Sequence, residues 1–228
     1  MISEVFKKYG PDDISKYGLR DIKFGRARLA ILDAFLQSLA KTPYEQILIK
    51  DLCRAAEISE PSFYNYFPRK DDLFLYFISL WSVDAQLHCF KDTKGISTIH
   101  KVYSYTARQM SRQAVPLMKE IIAYQAKTNV SARVSQIKPV SAAEKILVFG
   151  NVPDIEKIPD QGLGPIIRSN LEAAKQSGEI SSKVNIEVIG LILGSLFFGI
   201  PVLLLHSHPE AIEASFQLTL DYVLKKPF

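Results

Sequence analysis

Ser62, Asn65 and Tyr66 set a hydroxyl, an amide and a phenol at the spacing of one side of a short helix, and Phe63 and Phe67 fall on the other side. Groups of this kind hydrogen-bond base edges and phosphates when a helix lies in the major groove of DNA. The chemistry on offer is recognition. The neighbouring residues supply what is needed to hold that helix in place. Ser59 can cap it, and Pro61 suits its first turn, where an amide hydrogen would lack a partner. Upstream, Ile49, Leu52, Cys53 and Ala56 follow i, i+3, i+4, i+7 spacing, one buried stripe of a second short helix. Glu57-Ile58-Ser59 is a turn of the length that joins two helices at a steep angle. The segment 49–67 reads as a helix-turn-helix.

The flanking chain is also helical in pattern. Leu29, Leu32, Phe35, Leu36 and Leu39 share a face over 22–40, and Thr42-Pro43 interrupts that helix. Pro68 ends the motif, and Asp71 and Asp72 favour the start of a connecting helix that runs to about Phe90. Beyond Gly95 the spacing predicts helices over 96–112, 115–129, 163–177, 185–205 and 209–225, with Gly178 closing one of them and a short helix open to Ser141–Phe149. No useful length of strand alternation occurs. Residues 1–20, with Gly10-Pro11 and Gly18, read as an extension, and 130–162 is weakly periodic.

From about Arg26 to Leu73 the chain resembles the DNA-binding domain of the TetR (tetracycline-repressor) family. The matching features are Ala55-Ala56, Ile58-Ser59, Phe63-Tyr64, Tyr66-Phe67, and Lys70 ahead of an acidic pair and Leu73. Two positions depart from the family pattern. Glu57 stands where the family has glycine, so a left-handed residue there costs about 1 kcal/mol. Leu48 stands where the family has a threonine cap. The resemblance implies an all-α protein with a helix-turn-helix domain at 21–70 and a larger helical domain at 71–228 for ligand binding and dimerisation. It implies a homodimer through helices 185–205 and 209–225, a double-stranded operator as partner and a small-molecule effector. Glu60, Pro61, Ser62 and Asn65 match positions facing bases; Tyr64 and Tyr66 match positions touching the DNA backbone; Lys70 matches a phosphate-binding lysine. Asparagine can read adenine and glutamate can accept from cytosine, while a merely solvated Glu60 and a packing role for Tyr64 stay open. Arg26 and Arg28, in a basic cluster with Lys16, Arg20 and Lys23, and Lys50 at the start of the first short helix, join the expected phosphate contacts.

Composition sets the outer bounds. At 228 residues, 47% hydrophobic and 23% charged, the chain is ordinary for a globular protein, and its net charge of +4 permits nucleic-acid binding without requiring it. Two cysteines are too few for a disulfide framework, and no secretory signal is visible, so a cytoplasmic location is expected. Val188–Leu205 carries no charge and sits at the lower edge of a membrane span, but its glycines and Pro201 also suit a helix packed in a dimer. Trp81, Tyr103, Tyr124, Phe149 and Phe197 are candidates to line an apolar effector pocket, although aromatics at helical spacing more often form plain core. His206 and His208 lie off one helical face, so no metal is expected, and no cofactor. No glycine-rich phosphate loop, G-x-S-x-G elbow or H-E-x-x-H occurs, so an enzyme is not expected. The alternative to a regulator is a helical small-molecule-binding or membrane-associated protein.

Overall fold

The computed structural model describes residues 5–10, 13–90, 93–112, 115–128 and 137–225. Of the stretches read as irregular, 1–4, 11, 12 and 130–136 lie outside this set, as does the expected helix end at 129. Among the described residues the regular elements are all helical. They are α1 (Leu19–Leu39), α2 (Ile49–Ala55), α3 (Glu60–Tyr66), α4 (Asp72–Cys89), α5 (Ile96–Arg112), α6 (Val115–Lys127), α7 (Ala142–Phe149), α8 (Leu163–Gln176), α9 (Ile186–Leu204) and α10 (Ile212–Lys225). The all-α expectation is correct, and most boundaries lie within a residue or two of the spacing argument. The helix expected over 209–225 opens instead with a single 3-10 turn, Pro209–Ala211, preceded by His208 at φ −142°.

Contacts divide the chain into two units. One comprises Met1–Asp84 and Tyr124–Asp160, the other Ala85–Ala123 and Gln161–Phe228. In the first, Ile22, Ile31, Leu32, Phe35 and Leu39 form the buried face of α1, while Leu29 and Leu36 are half-buried. Phe35 meets Phe74 edge to face at 5.2 Å, and Phe67 packs against Tyr76 at 5.4 Å. Ordered aromatic pairs of this kind hold a helix at one angle as well as burying area. Helix α7 belongs to this unit. It opens with a capping box in which Ser141 Oγ accepts from the Glu144 amide at 3.3 Å and the Glu144 carboxylate accepts from the Ser141 amide at 2.8 Å. Gly25 lets α1 and α7 approach, since a Cβ there would lie 2.8 Å from Cγ of Glu144. Residues 5–10, read from sequence as part of a loose extension, are docked on the end of α7. Phe6 packs between Phe77 and Phe149, and the Tyr9 amide donates to the Phe149 carbonyl at 2.7 Å.

In the second unit α5, α8, α9 and α10 share a core. Tyr103 is fully buried, donates to the Leu193 carbonyl at 2.7 Å, and meets Phe197 and Phe216 edge to face at 5.2 and 5.0 Å. Burial pushes its phenol pKa far above the ordinary value, so it remains a donor. Helix α9 buries Ile189, Leu193, Phe197 and Pro201 and exposes Val188, Leu191, Val202 and Leu203. Leu218 and Tyr222 are exposed on α10.

Candidate nucleic-acid interface

Helix α2 ends at Ala56, and Glu57 takes a left-handed conformation, φ 55°. The Ile58 amide then donates to the Cys53 carbonyl at 3.0 Å and the Glu57 amide to the Arg54 carbonyl at 3.3 Å. This is the paired closure that usually recruits glycine. Leu48 gives α2 no side-chain cap. The turn delivers Ser59, whose hydroxyl accepts from the Ser62 amide at 3.3 Å and hydrogen-bonds the Ser62 hydroxyl at 2.8 Å, and Pro61 fills the first turn of α3. Phe63 and Phe67 are buried, as the spacing required.

On the outer side, Glu60, Pro61, Tyr64 and Asn65 are exposed, and Ser62 and Tyr66 are half-buried. Tyr66 lies against Phe24 with ring centroids 5.1 Å apart, and Tyr64 meets Phe63 edge to face at 5.5 Å, so both phenols stand on an apolar base. Arg26 and Lys50 are exposed. Lys70 is tied down: its ammonium donates to the carbonyls of Tyr44 and Ile47, each at 2.8 Å, and sits 4.1 Å from the Tyr44 ring centroid. Burial lowers the Lys70 pKa, with the carboxylates of Asp71 and Glu45 pulling against it. The Tyr44 hydroxyl donates to Asp71, which also accepts from Arg69 at 2.7 Å. Burial and then that hydrogen bond raise the Tyr44 phenol pKa.

Arg28 requires a correction. It is not a phosphate contact, because its side chain is 1% exposed and paired with fully buried Glu144 at 3.1 Å. The guanidinium also donates to the carbonyls of Lys138 and Pro139 at 3.1 and 3.3 Å and lies 4.0 Å from the Tyr76 ring centroid. Tyr76 donates to Glu144 at 2.6 Å; burial, then the Glu144 charge, hold its pKa well above the ordinary range, with Arg28 pulling it down. Glu144 was legible only as the partner of Ser141 in the box S-x-x-E. Lys138, whose ammonium reaches the Asn65 carbonyl at 3.2 Å, has no local signal in the sequence.

The expected effector residues separate into two groups. Trp81, Tyr124 and Phe149 belong to the first unit, Tyr103 and Phe197 to the second. Phe149 is fully buried against Phe6, and Tyr124 lies 5.5 Å from Phe74. Among the described residues no cluster of His, Cys, Asp and Glu could hold a metal ion.

The all-helical fold and the polar outer face of α3 define a helix-turn-helix domain. Residues 31–77 match the family model described as bacterial regulatory proteins, tetR family, and this segment is a domain of that family of transcription regulators. No curated protein matches the chain. Among solved structures, a protein titled Salmonella enterica GusR aligns with a TM-score of 0.56 at 19% identity, covering 88% of this chain and 96% of that one. A TetR transcriptional regulator from Rhodococcus sp. RHA1 aligns with a TM-score of 0.58 at 17% identity, covering 87% of this chain and 96% of its own. At such identities the likeness is one of fold.

Proposed function

We propose that this protein is a ligand-responsive repressor of transcription that binds a palindromic operator as a homodimer. The observation that carries the reading is the face of α3, where Glu60, Pro61, Tyr64 and Asn65 are exposed over buried Phe63 and Phe67. Residues 21–70 form the reading domain, with Glu60, Pro61, Ser62 and Asn65 toward bases and Arg26, Lys50, Tyr64, Tyr66 and Lys70 toward the backbone. Lys70 retains one ammonium hydrogen beyond the two held by carbonyls, enough for a phosphate oxygen. Two copies place their reading helices about one helical turn (~34 Å) apart on the duplex.

Residues 71–228 supply dimerisation and effector binding. Val188, Leu191, Val202 and Leu203 on α9, with Leu218 and Tyr222 on α10, form exposed apolar stripes suited to a second copy. By length and composition α9 could also cross a membrane. The dimer is favoured because the opposite side of α9, Ile189 to Pro201, is already packed in the second unit. A protein that stays in the supernatant on high-speed centrifugation without detergent supports the soluble reading; one that pellets overturns it. The effector is an apolar small molecule, and it acts only by binding one state of the dimer more tightly than the other. Trp81 and Tyr124 in the first unit, and Tyr103 and Phe197 in the second, are the first positions at which to look for its contacts.

The test is fluorescence anisotropy with the duplex upstream of the protein's own coding sequence. Raising salt from 50 to 200 mM should weaken binding by about a thousandfold or more. Asn65→Ala should relax preference at particular bases while leaving the salt slope alone. Weak binding that ignores salt would refute the reading.

A further inference from the structure

The strip from Lys138 to Glu144 grips the helix-turn-helix from outside it. The Lys138 ammonium donates to the backbone carbonyl of Asn65 at 3.2 Å, across 73 residues of sequence, and lies 5.1 Å from the Phe24 ring centroid. Phe24 in turn packs on Tyr66. Asn65 and Tyr66 form the last turn of α3, where carbonyls lack partners within the helix and a cation matches the sign of the helix dipole. The same strip holds α1. The carbonyls of Lys138 and Pro139 and the carboxylate of Glu144 together surround the Arg28 guanidinium. On its far side the strip is fixed by Asp160, which accepts from the Val140 amide at 2.6 Å, and by Lys145, which donates to the Ile158 carbonyl at 2.6 Å.

We propose that Lys138 is a positioning residue for the recognition helix, holding the Asn65 end of α3 against a strip that the Arg28–Glu144 ion pair anchors to α1. The reading head thus includes residues far beyond the helix-turn-helix, and a displacement of the strip reaches α3 directly through one side chain. Lys138 is exposed, so its removal spares the core. The proposal rests on the DNA-binding reading for its consequence and not for its geometry, and the experiment separates the two.

Hydrogen exchange is measured by mass spectrometry on the full DNA-free chain, as wild type, Lys138→Ala and Lys138→Arg. Lys138→Ala should speed exchange in peptides covering 60–69 by about three- to tenfold, the loss of one solvent-exposed hydrogen bond. Peptides covering 212–225 should not change, the melting temperature should fall by no more than about 6 °C, and Lys138→Arg should restore protection. On the operator duplex, Lys138→Ala should weaken binding by a similar factor with the slope of log affinity against log salt unchanged. A direct phosphate contact would instead lower that slope by about one. Unaltered exchange over 60–69, a reduced salt slope, or failure of Lys138→Arg to rescue would each overturn the proposal. If the wild-type chain binds no DNA, the functional reading fails and the exchange data still decide whether Lys138 positions α3.

Discussion

Replacing Arg28 with methionine separates the buried strut from the phosphate contact that its place in a basic cluster suggests. Methionine keeps the length of the stem and removes the charge. In the wild type the Arg28 and Glu144 side chains are 1% and 0% exposed and meet at 3.1 Å. Removing one member of a buried pair typically costs 3–5 kcal/mol, because the other charge stays out of water without its partner; here we expect a loss of about that size. The Lys138 and Pro139 carbonyls would lose their donor as well. For a chain of this size about 2–4 °C of melting temperature corresponds to each kcal/mol, so the midpoint should fall by about 6–20 °C. Urea unfolding followed by circular dichroism measures the loss directly. A second variant, Arg28→Met with Glu144→Gln, should recover part of it, because glutamine removes the stranded charge and keeps an oxygen for the Tyr76 hydroxyl and the Ser141 amide. The reasoning is refuted if Arg28→Met leaves stability within about 1 kcal/mol of wild type while the salt slope of DNA binding drops by about one.

Further tests address other parts of the molecule. Glu57→Gly should stabilise the protein by about 0.5–1 kcal/mol: relief of a left-handed residue is worth about 1–2 kcal/mol, offset by glycine's greater freedom when unfolded; a lower melting temperature would contradict this. Leu203, 76% exposed on α9, should tolerate Leu203→Glu as a folded chain yet convert a dimer to a monomer at micromolar concentration, read by analytical ultracentrifugation, and an unchanged mass would remove α9 from the interface. Cys53 is buried, and burial, then the charge of Glu60, push its thiol pKa up. The folded state therefore holds this proton more tightly than the unfolded chain, and its contribution to stability falls as pH rises past the ordinary thiol range. Native Cys53 should react with a thiol reagent at about pH 8 only as fast as the protein opens, and rapid modification without unfolding would refute its burial.

Local chemistry announced the helix-turn-helix, although of the expected stripe Leu52 and Cys53 are buried and Ile49 and Ala56 only half-buried. Ser59, Pro61, Phe63 and Phe67 each have a role decided within one turn of the chain, by a cap, a missing amide or a side of the helix, so spacing alone located α2 and α3, while the family resemblance pointed to the left-handed residue at Glu57. The same holds for the other helix boundaries, since apolar period and proline act over a few residues. Arg28 and Arg26 were indistinguishable in sequence, two basic residues near the start of α1; only packing buried one and exposed the other. The pairing of Arg28 with Glu144 and the reach of Lys138 to Asn65 span more than seventy residues, and nothing in their immediate neighbours encodes it. Likewise Phe6 looked like part of a loose extension until Phe77 and Phe149 were brought around it. Backbone propensity and side-chain period are local properties and are written in the chain. The partner of a buried charge or ring depends on which distant segments the core brings together, so the tertiary structure alone decided it.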